Sequence, residues 1–277
     1  MKTPDFLVIG HVAKDLVGSG YRLGGTAAYA ALTASNLGRR VGVVTSAGPD
    51  LELRHLLPGI RVLCLPSPVS TTFLNVYSGG ERHQYVHAVA DRIPADAVPL
   101  EWRTCPVVHI GPIVHEIDEG IIDLFAHSLL GLTPQGWLRR WDAGGRVAPR
   151  HWEGAHRVLP RVDAVIVSEE DLDGEATALR TELQSAPLAI VTEGAKGATL
   201  HTQGQRQRIP TRDIKPVDST GAGDVFAAAF LVRLAETEDP WEACRFANVA
   251  ASLSVEKTGI ASAPQRAEIE KLAAAAR

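Results

Sequence analysis

The residues with the clearest chemical potential lie in the segment 217–226, which reads Val-Asp-Ser-Thr-Gly-Ala-Gly-Asp-Val-Phe and runs into an alanine-rich stretch. Gly221, Ala222 and Gly223 are small, so the backbone can approach a ligand closely where a helix is predicted to start. The first N–H groups of a helix have no partner within it, and with the helix dipole they suit a phosphoryl group. Asp224 would lie in the first turn, where the dipole favours an ionised carboxylate that can accept a hydroxyl proton.

The same segment also fits an ordinary helix start without any ligand. Asp218 or Thr220 would then be the N-cap, and Asp224 would be a favourable charge in the first turn. The residues alone leave both interpretations open. The sequence contains no Gly-x-x-x-x-Gly-Lys-Ser/Thr pattern, which excludes a P-loop enzyme.

A second candidate group lies near the start of the chain. Asp15 follows the first predicted strand, and a carboxylate that only accepts hydrogen bonds suits the two hydroxyls of a diol. A solvated aspartate in a turn is the alternative for this residue. Gly24 and Gly25 precede the first predicted helix, where they permit close backbone approach to a substrate, a tight turn, or both.

The elements that must position these residues follow an alternating pattern. Short β-branched runs alternate with alanine-rich stretches, which predicts an α/β fold around a largely parallel sheet covered on both faces. We predict strands over 6–9, 41–45, 107–110, 164–167 and 188–192, and helices over 26–37, 222–235 and 240–257.

Two hairpins interrupt the alternation. Residues 71–86 predict strands on either side of a turn at Ser78, Gly79, Gly80 and Glu81, with one face wet. We call this segment the flap, and we expect the rest of 1–277 to form a single domain with it. A second hairpin is predicted over 198–202 and 207–209 around Gly204.

Composition restricts the class of partner. The chain has 277 residues, 45% hydrophobic and 22% charged, with a net charge of −4, so we expect neither nucleic acid nor membrane as a partner. Three scattered cysteines, Cys64, Cys105 and Cys244, form no metal-ligand spacing and are interpreted as reduced thiols. With a first apolar run too short for a signal peptide, we expect a cytoplasmic protein.

The string 218–224 resembles the signature of the ribokinase-like (PfkB) carbohydrate kinase family, Asp/Asn-Thr-x-Gly-Ala-Gly-Asp, with Ser219 in place of the usual threonine. The resemblance covers essentially the whole chain. It implies a three-layer ribokinase-like sandwich. It also implies transfer of a phosphoryl group from ATP, with Mg²⁺, to an alcohol acceptor. In that scheme Asp224 is the catalytic base, and the Gly221–Gly223 backbone, including Ala222, holds the phosphoryl group.

The resemblance also implies the other binding residues. Asp15, Gly24 and Gly25 stand where relatives hold substrate hydroxyls. Residues 168–171 replace the family's Asn-x-x-Glu, which makes Glu169 and Asp171 metal candidates, or else the first turn of a helix capped by Ser168. Thr192, Gly194 and Gly197 resemble the nucleotide-binding turn, and Gly259 a nucleotide-loop residue. Asn248 lies on the adenine-flanking helix, where it contacts the base or satisfies a loop carbonyl.

Two departures from the family pattern indicate which branch of the family the chain resembles. Only residues 16–23 separate Asp15 from Gly24, so the β-hairpin lid is expected to be much reduced. Residues 133–142 replace the usual Asn-x-x-Arg region, in which Arg139 or Arg140 would contact phosphate or remain solvated. These features resemble the compact branch that includes plant inositol 3-kinase.

Three functions follow from the resemblance. A kinase for a myo-inositol-like polyol or sugar is favoured, since aromatic residues that would stack on a nucleobase make up only 5% of the chain. A nucleoside kinase of the same family is the first alternative. A non-catalytic nucleotide-binding relative is the second, and a monomer and a homodimer are both open.

Overall fold

This computed structural model describes residues 3–78, 81–202 and 204–275, which form fifteen strands and seven α-helices. The strands are β1 (Phe6–Ile9), β2 (Ala13–Val17), β3 (Gly20–Gly24), β4 (Val41–Ala47), β5 (Arg61–Pro66), β6 (Thr71–Ser78), β7 (Glu81–Ala88), β8 (Val107–Ile110), β9 (Leu129–Leu132), β10 (Arg139–Trp141), β11 (Val147–Pro149), β12 (Ala164–Ser168), β13 (Leu188–Thr192), β14 (Ala198–Thr202) and β15 (Gln205–Ile209). The helices are α1 (Thr26–Asn36), α2 (Leu53–Leu56), α3 (Ala155–Val158), α4 (Leu179–Glu182), α5 (Ala222–Thr237), α6 (Pro240–Ser254) and α7 (Arg266–Ala275).

Nine strands of the described chain form the central sheet, in the order β15-β14-β13-β12-β9-β8-β1-β4-β5. The seven strands from β13 to β5 run parallel, and β14 and β15 add an antiparallel edge. The α/β prediction is confirmed, and β1, β8 and β13 have the predicted bounds. These strands are recognisable in the sequence because burial on both faces requires a continuous apolar run.

The two faces of the central sheet are covered differently. The three long predicted helices exist as α1, α5 and α6 and share one hydrophobic core on one face. The second core lies over the other face, where 3-10 turns and short helices replace the long helices expected of a repeated strand–helix pattern. Its largest buried side chains include Trp102 and Phe125. In the part of the chain that the structure describes, no helix is long and apolar enough to cross a bilayer.

A four-stranded sheet in the order β3-β2-β6-β7 lies beside the central one. It joins the β2–β3 hairpin, expected as a much reduced lid, to the flap, which was predicted as a hairpin beside the main sheet. Strand β2 pairs antiparallel with β3 and parallel with β6, so Asp15 stands between Arg22 and Phe73. The turn predicted at Gly79 and Gly80 lies outside the described residues.

The chain reverses its direction across the central sheet next to β1. It moves from β1 outward to β4 and β5, and later returns to place β8 and β9 on the other side. A ligand crevice is expected at the carboxyl ends of the strands at such a reversal. There the backbones meet closely, because a Cβ at Gly10 would overlap the carbonyl of Gly111, and one at Gly111 would overlap the Thr26 side chain. This packing holds the start of α1 over the crevice.

Candidate active site

Asp224 lies in the first turn of α5, as predicted, and the N-cap of that helix is Gly221. Gly221 has φ 77°, a left-handed conformation that glycine adopts without strain. No side chain of the described residues caps the helix, and Asp218 instead accepts a hydrogen bond from the Thr220 N–H at 3.0 Å. Neither Asp218 nor Thr220, the two N-cap candidates of the interpretation without a ligand, therefore caps the N–H groups of the first turn.

Gly221 and Gly223 differ in what surrounds them. A Cβ at Gly221 would lie 2.5 Å from the Tyr29 ring, so this glycine is required by the fold itself. A Cβ at Gly223 would meet no atom within 4 Å beyond its own helical turn, and the residue is exposed. The surface over Gly223 is thus open to a ligand.

Asp224 is half-buried and its Oδ1 accepts a hydrogen bond from the Thr26 hydroxyl at 2.7 Å. Burial raises its pKa to about 6, although the Thr26 hydrogen bond and the charge of Arg139 act in the opposite direction. The charges of Asp171 and Asp15 contribute to this raised pKa in the same direction as burial. The helix dipole favours ionisation, as the sequence predicts, whereas burial opposes it. A pKa near the working pH is the value that suits a general base.

Arg139 is largely shielded from solvent, and its charge acts on the Asp224 carboxylate by lowering its pKa. Its side chain is only 13% exposed, donates to Gln84 Oε1 at 3.0 Å and pairs with Asp171 at 3.4 Å. Of the two alternatives left open by the sequence, solvation does not hold for Arg139, while Arg140 is exposed; a contact with phosphate stays a prediction. Trp137 and Leu138, which directly precede Arg139, are buried. These two apolar residues were the signal in the sequence that Arg139 follows a packed segment.

Asp15 lies within a strand and not in a solvated turn. Its carboxylate occupies the space over Gly24, where a Cβ would overlap Oδ2. Gly25 has φ 84° and is the N-cap of α1, with its Cα facing the carbonyl of His11. The structure thus brings Asp15, Gly24 and Gly25 together at the same end of α1 that holds Asp224 through Thr26.

A cavity of about 460 Å³ opens between the β2–β3 hairpin and the loop before α5. An ion pair between Arg22 and Asp218, at 3.3 Å, connects its two sides. The polar lining includes Asp15, Arg22, Tyr29, Asn75, Asp218 and Thr220.

The residues predicted to bind nucleotide divide into two groups. Thr192 ends β13 opposite Ser168, and Gly194 and Gly197 shape the following turn with φ 56° and 94°. A Cβ at Gly197 would overlap the Ile209 carbonyl, so close packing requires glycine there. Gly259 instead lies beside Arg22, at the cavity.

Asn248 is buried and holds a loop in place. Its Nδ2 donates to the carbonyls of Ile209 at 2.9 Å and Pro210 at 3.5 Å. Of the two roles left open by the sequence, satisfying a loop carbonyl is the one observed. A contact with adenine stays a prediction.

The two metal candidates are both paired with cations. Glu169 lies 3.5 Å from Lys196, and Asp171 pairs with Arg139. Ser168 accepts from the Glu170 N–H at 3.3 Å, which is the capping role left open by the sequence. Among the described residues, no group of three or more His, Cys, Asp or Glu side chains could hold a metal ion. This donor set fits only Mg²⁺ that keeps its waters and binds mainly through donor phosphates.

Comparison with known proteins agrees with this geometry. Residues 145–266 match the model of the pfkB family carbohydrate kinases. A ribokinase of Bacillus subtilis is 48% identical over 84 residues, which cover 30% of this chain and 29% of that protein. A cytidine kinase of Thermococcus kodakarensis is 28% identical over 251 residues, covering 82% of this chain and 87% of that protein.

Among solved structures, a pyrophosphate-dependent kinase of the ribokinase family, complexed with a pyrophosphate analogue and myo-inositol, superposes with a TM-score of 0.79. It is 25% identical, and the alignment covers 96% of this chain and 99% of that one. The 218–224 signature, the fold and these matches lead to one conclusion. The chain has the ribokinase-like fold, and its residues 145–266 match the pfkB carbohydrate kinases, whose members transfer a phosphoryl group to a sugar hydroxyl.

Proposed function

We propose that this protein transfers a phosphoryl group to a hydroxyl of a small polyol or sugar, with Asp224 as the general base. The observation that carries the proposal is the environment of Asp224. A half-buried carboxylate with a pKa of about 6 lies in the open first turn of a helix, near a cavity lined by Asp15. A group that removes a proton beside a phosphoryl site needs these properties.

The proton transfer follows from the hydrogen bonds of Asp224. The Thr26 hydroxyl fixes Oδ1, which leaves Oδ2 to accept the proton of the acceptor hydroxyl. As that O–H bond breaks, the oxygen forms a bond to phosphorus, and the bond from phosphorus to the departing donor oxygen breaks. The charge on the transferring group is stabilised by the first-turn N–H groups around Gly223 and by the guanidinium of Arg139.

The donor that we favour is ATP, with Mg²⁺ neutralising charge on its phosphates. The turn formed by Gly194 and Gly197 would hold the nucleotide, and Asp171 would bind a water of the metal. Pyrophosphate is a second candidate donor, because the similar solved structure is of a pyrophosphate-dependent kinase. Both donors present phosphate to the same first turn of α5.

A myo-inositol-like polyol is the favoured acceptor. Carboxylate and amide groups from Asp15, Asp218 and Asn75 line the cavity, and Tyr29 is its one aromatic group among the described lining residues. Such a lining suits several hydroxyls better than it suits a stacked base. A nucleoside is the second candidate, since the cytidine kinase aligns over most of the chain. The raised pKa of Asp224 favours a catalyst over a non-catalytic binding protein.

We also infer a cytoplasmic enzyme with small-molecule partners. Cys64, Cys105 and Cys244 are free thiols. Burial raises the pKa of Cys105 and Cys244, which makes both thiols unreactive. Unpaired thiols are typical of proteins in reducing compartments.

Direct measurement of phosphorylated product tests the proposal. Polyols, sugars and nucleosides are each incubated with ATP and Mg²⁺, and separately with pyrophosphate and Mg²⁺, and products are identified by mass spectrometry. The Asp224→Asn variant is the control for a contaminating kinase. Product from wild type but not from the variant supports the proposal, and absence of any product across the panel contradicts it.

A further inference from the structure

Tyr29 lies in the first turn of α1 and lines the same cavity as Asp15. The residue is only 2% exposed, and its ring packs against Gly221. Its hydroxyl has no hydrogen-bond partner among the described residues. With the ring enclosed by the glycine loop, the unpartnered hydroxyl is the part of the side chain available to a ligand in the cavity.

The surroundings of this hydroxyl determine its chemical role. Burial raises the pKa of Tyr29, and the charges of Asp15, Asp218 and Asp224 raise it further, while Arg22 lowers it. The phenol therefore stays protonated and can donate a hydrogen bond. The three carboxylates can only accept, and the Arg22 guanidinium is already paired with Asp218.

A polyol hydroxyl needs both kinds of partner when it leaves water. It donates its proton to an acceptor such as the Asp15 carboxylate, and its oxygen must then accept a hydrogen bond from a protein donor. Tyr29 supplies that donor on the cavity wall. An acceptor that lacks the polyol hydroxyl would leave the Tyr29 phenol buried and unpaired. A site rejects such an analogue more strongly than it rejects one that merely fills an apolar pocket less well.

We propose that Tyr29 is a specificity-determining residue, whose hydroxyl donates a hydrogen bond to an acceptor oxygen that also contacts Asp15. The proposal rests on the proposed function, because it names the group that selects the acceptor of that reaction. A purely structural Tyr29 would act only through its ring, which supports Gly221. The two roles are separable, since phenylalanine keeps the ring and removes the hydroxyl.

The first experiment compares Tyr29→Phe with the wild-type enzyme. We expect kcat/KM for the acceptor to fall about 10-fold, the effect of one buried hydrogen bond, with the KM for the donor and the melting temperature unchanged. Tyr21→Phe is the matched control, because Tyr21 is 42% exposed on β3 and should show no effect. Equal losses for donor and acceptor, or no loss for either, would overturn the proposal.

The second experiment uses acceptors that each lack one hydroxyl. Wild type should discriminate against one deoxy analogue, and Tyr29→Phe should discriminate about 10-fold less, because the hydrogen bond from that hydroxyl to Asp15 remains in the variant. Unchanged discrimination in the variant would overturn the proposal.

Calorimetry of acceptor binding separates this inference from the proposed function. If wild type binds a polyol without phosphorylating it, the proposed function fails. In that case, about 10-fold weaker binding by Tyr29→Phe would still support the role of Tyr29. Equal binding by the two proteins would overturn it, and so would a wild type that binds no acceptor.

Discussion

The two sheets of this protein differ sharply in how they are held. All four residues of β1 in the central sheet are 0% exposed, and β4 is buried along its whole length. The four-stranded sheet leaves Val17 40% and Tyr21 42% exposed, and its buried cluster is small, with Ala13, Phe73, Ile113 and Val114. Local opening requires least free energy where few apolar contacts are broken, so the four-stranded sheet should open first.

The candidate site joins these two regions. Asp224 belongs to the firmly packed part, because α5 is buried without interruption from Val225 to Val232, directly after Asp224. Asp15 belongs to β2 in the four-stranded sheet. The proposed proton acceptor therefore lies on the firmly packed support, and the proposed substrate-binding carboxylate lies on the support that we expect to be more mobile.

Replacing Asp224 with asparagine should reduce kcat by about 10²–10⁴-fold, since an amide cannot accept the proton. Stability should not fall at pH 7. The pKa of Asp224 is higher in the folded protein than the ordinary value of 3.8, so its stabilising contribution is present below pH 3.8 and is lost as the pH rises through about 6. Steady-state kinetics beside melting curves test both statements. Turnover near that of wild type would remove Asp224 from the mechanism.

Replacing Asp15 with asparagine should weaken acceptor binding by about 10–100-fold, because hydrogen bonds to a charged group are lost. Donor binding should change little, since Asp15 lies on β2 and the proposed donor groups lie elsewhere. Calorimetry with each ligand alone measures the two effects. Equal weakening of both ligands would mean that the variant disturbs the whole site and not the acceptor side alone.

The pH dependence of turnover tests Asp224, on the firmly packed support, independently of Asp15. Because Asp224 must be ionised to act as base and its pKa is about 6, kcat/KM should fall about 10-fold per pH unit well below that value. Above pH 7 this group should cause no further rise. A profile that stays flat to pH 4.5 would contradict the raised pKa.

The smallest effect concerns the dynamics of the β6–β7 hairpin. Its base is anchored, since Thr71 is buried and bonded to His11, and the Val86 N–H donates to the Gly145 carbonyl at 2.8 Å. We therefore expect fast hydrogen exchange only toward the outer ends of the strands in the free protein, with protection when acceptor binds. Exchange is measured on the free protein, with donor alone, and with a donor analogue plus acceptor. Protection by donor alone would contradict a role in covering the acceptor.

The sequence predicts the central sheet well and the four-stranded sheet poorly for the same physical reason. Strands buried on both faces require unbroken apolar runs, whereas β2 reads Ala-Lys-Asp-Leu-Val and shows no such run. Asp15 and Asp224 were singled out because the residues around them resemble the family's motifs, whereas their types and spacing alone also fit a turn and a helix start, and their roles stay predictions. The sequence left Arg139 open between phosphate contact and solvent, since an arginine is ordinarily solvated and the burial of this one depends on Asp171 and Gln84, which are distant in sequence. The contact of Tyr29 with Gly221 likewise exists only in the folded chain.

The ion pair between Arg22 and Asp218 has a consequence for the timing of the reaction cycle. It connects residues 196 positions apart across the cavity, and the Arg22 side chain is 49% exposed. A pair of this exposure is worth about 0–1 kcal/mol, which is comparable to thermal energy. It therefore breaks and re-forms many times during one turnover. Such a connection keeps the two walls in register without delaying the departure of product, and added salt should loosen it further.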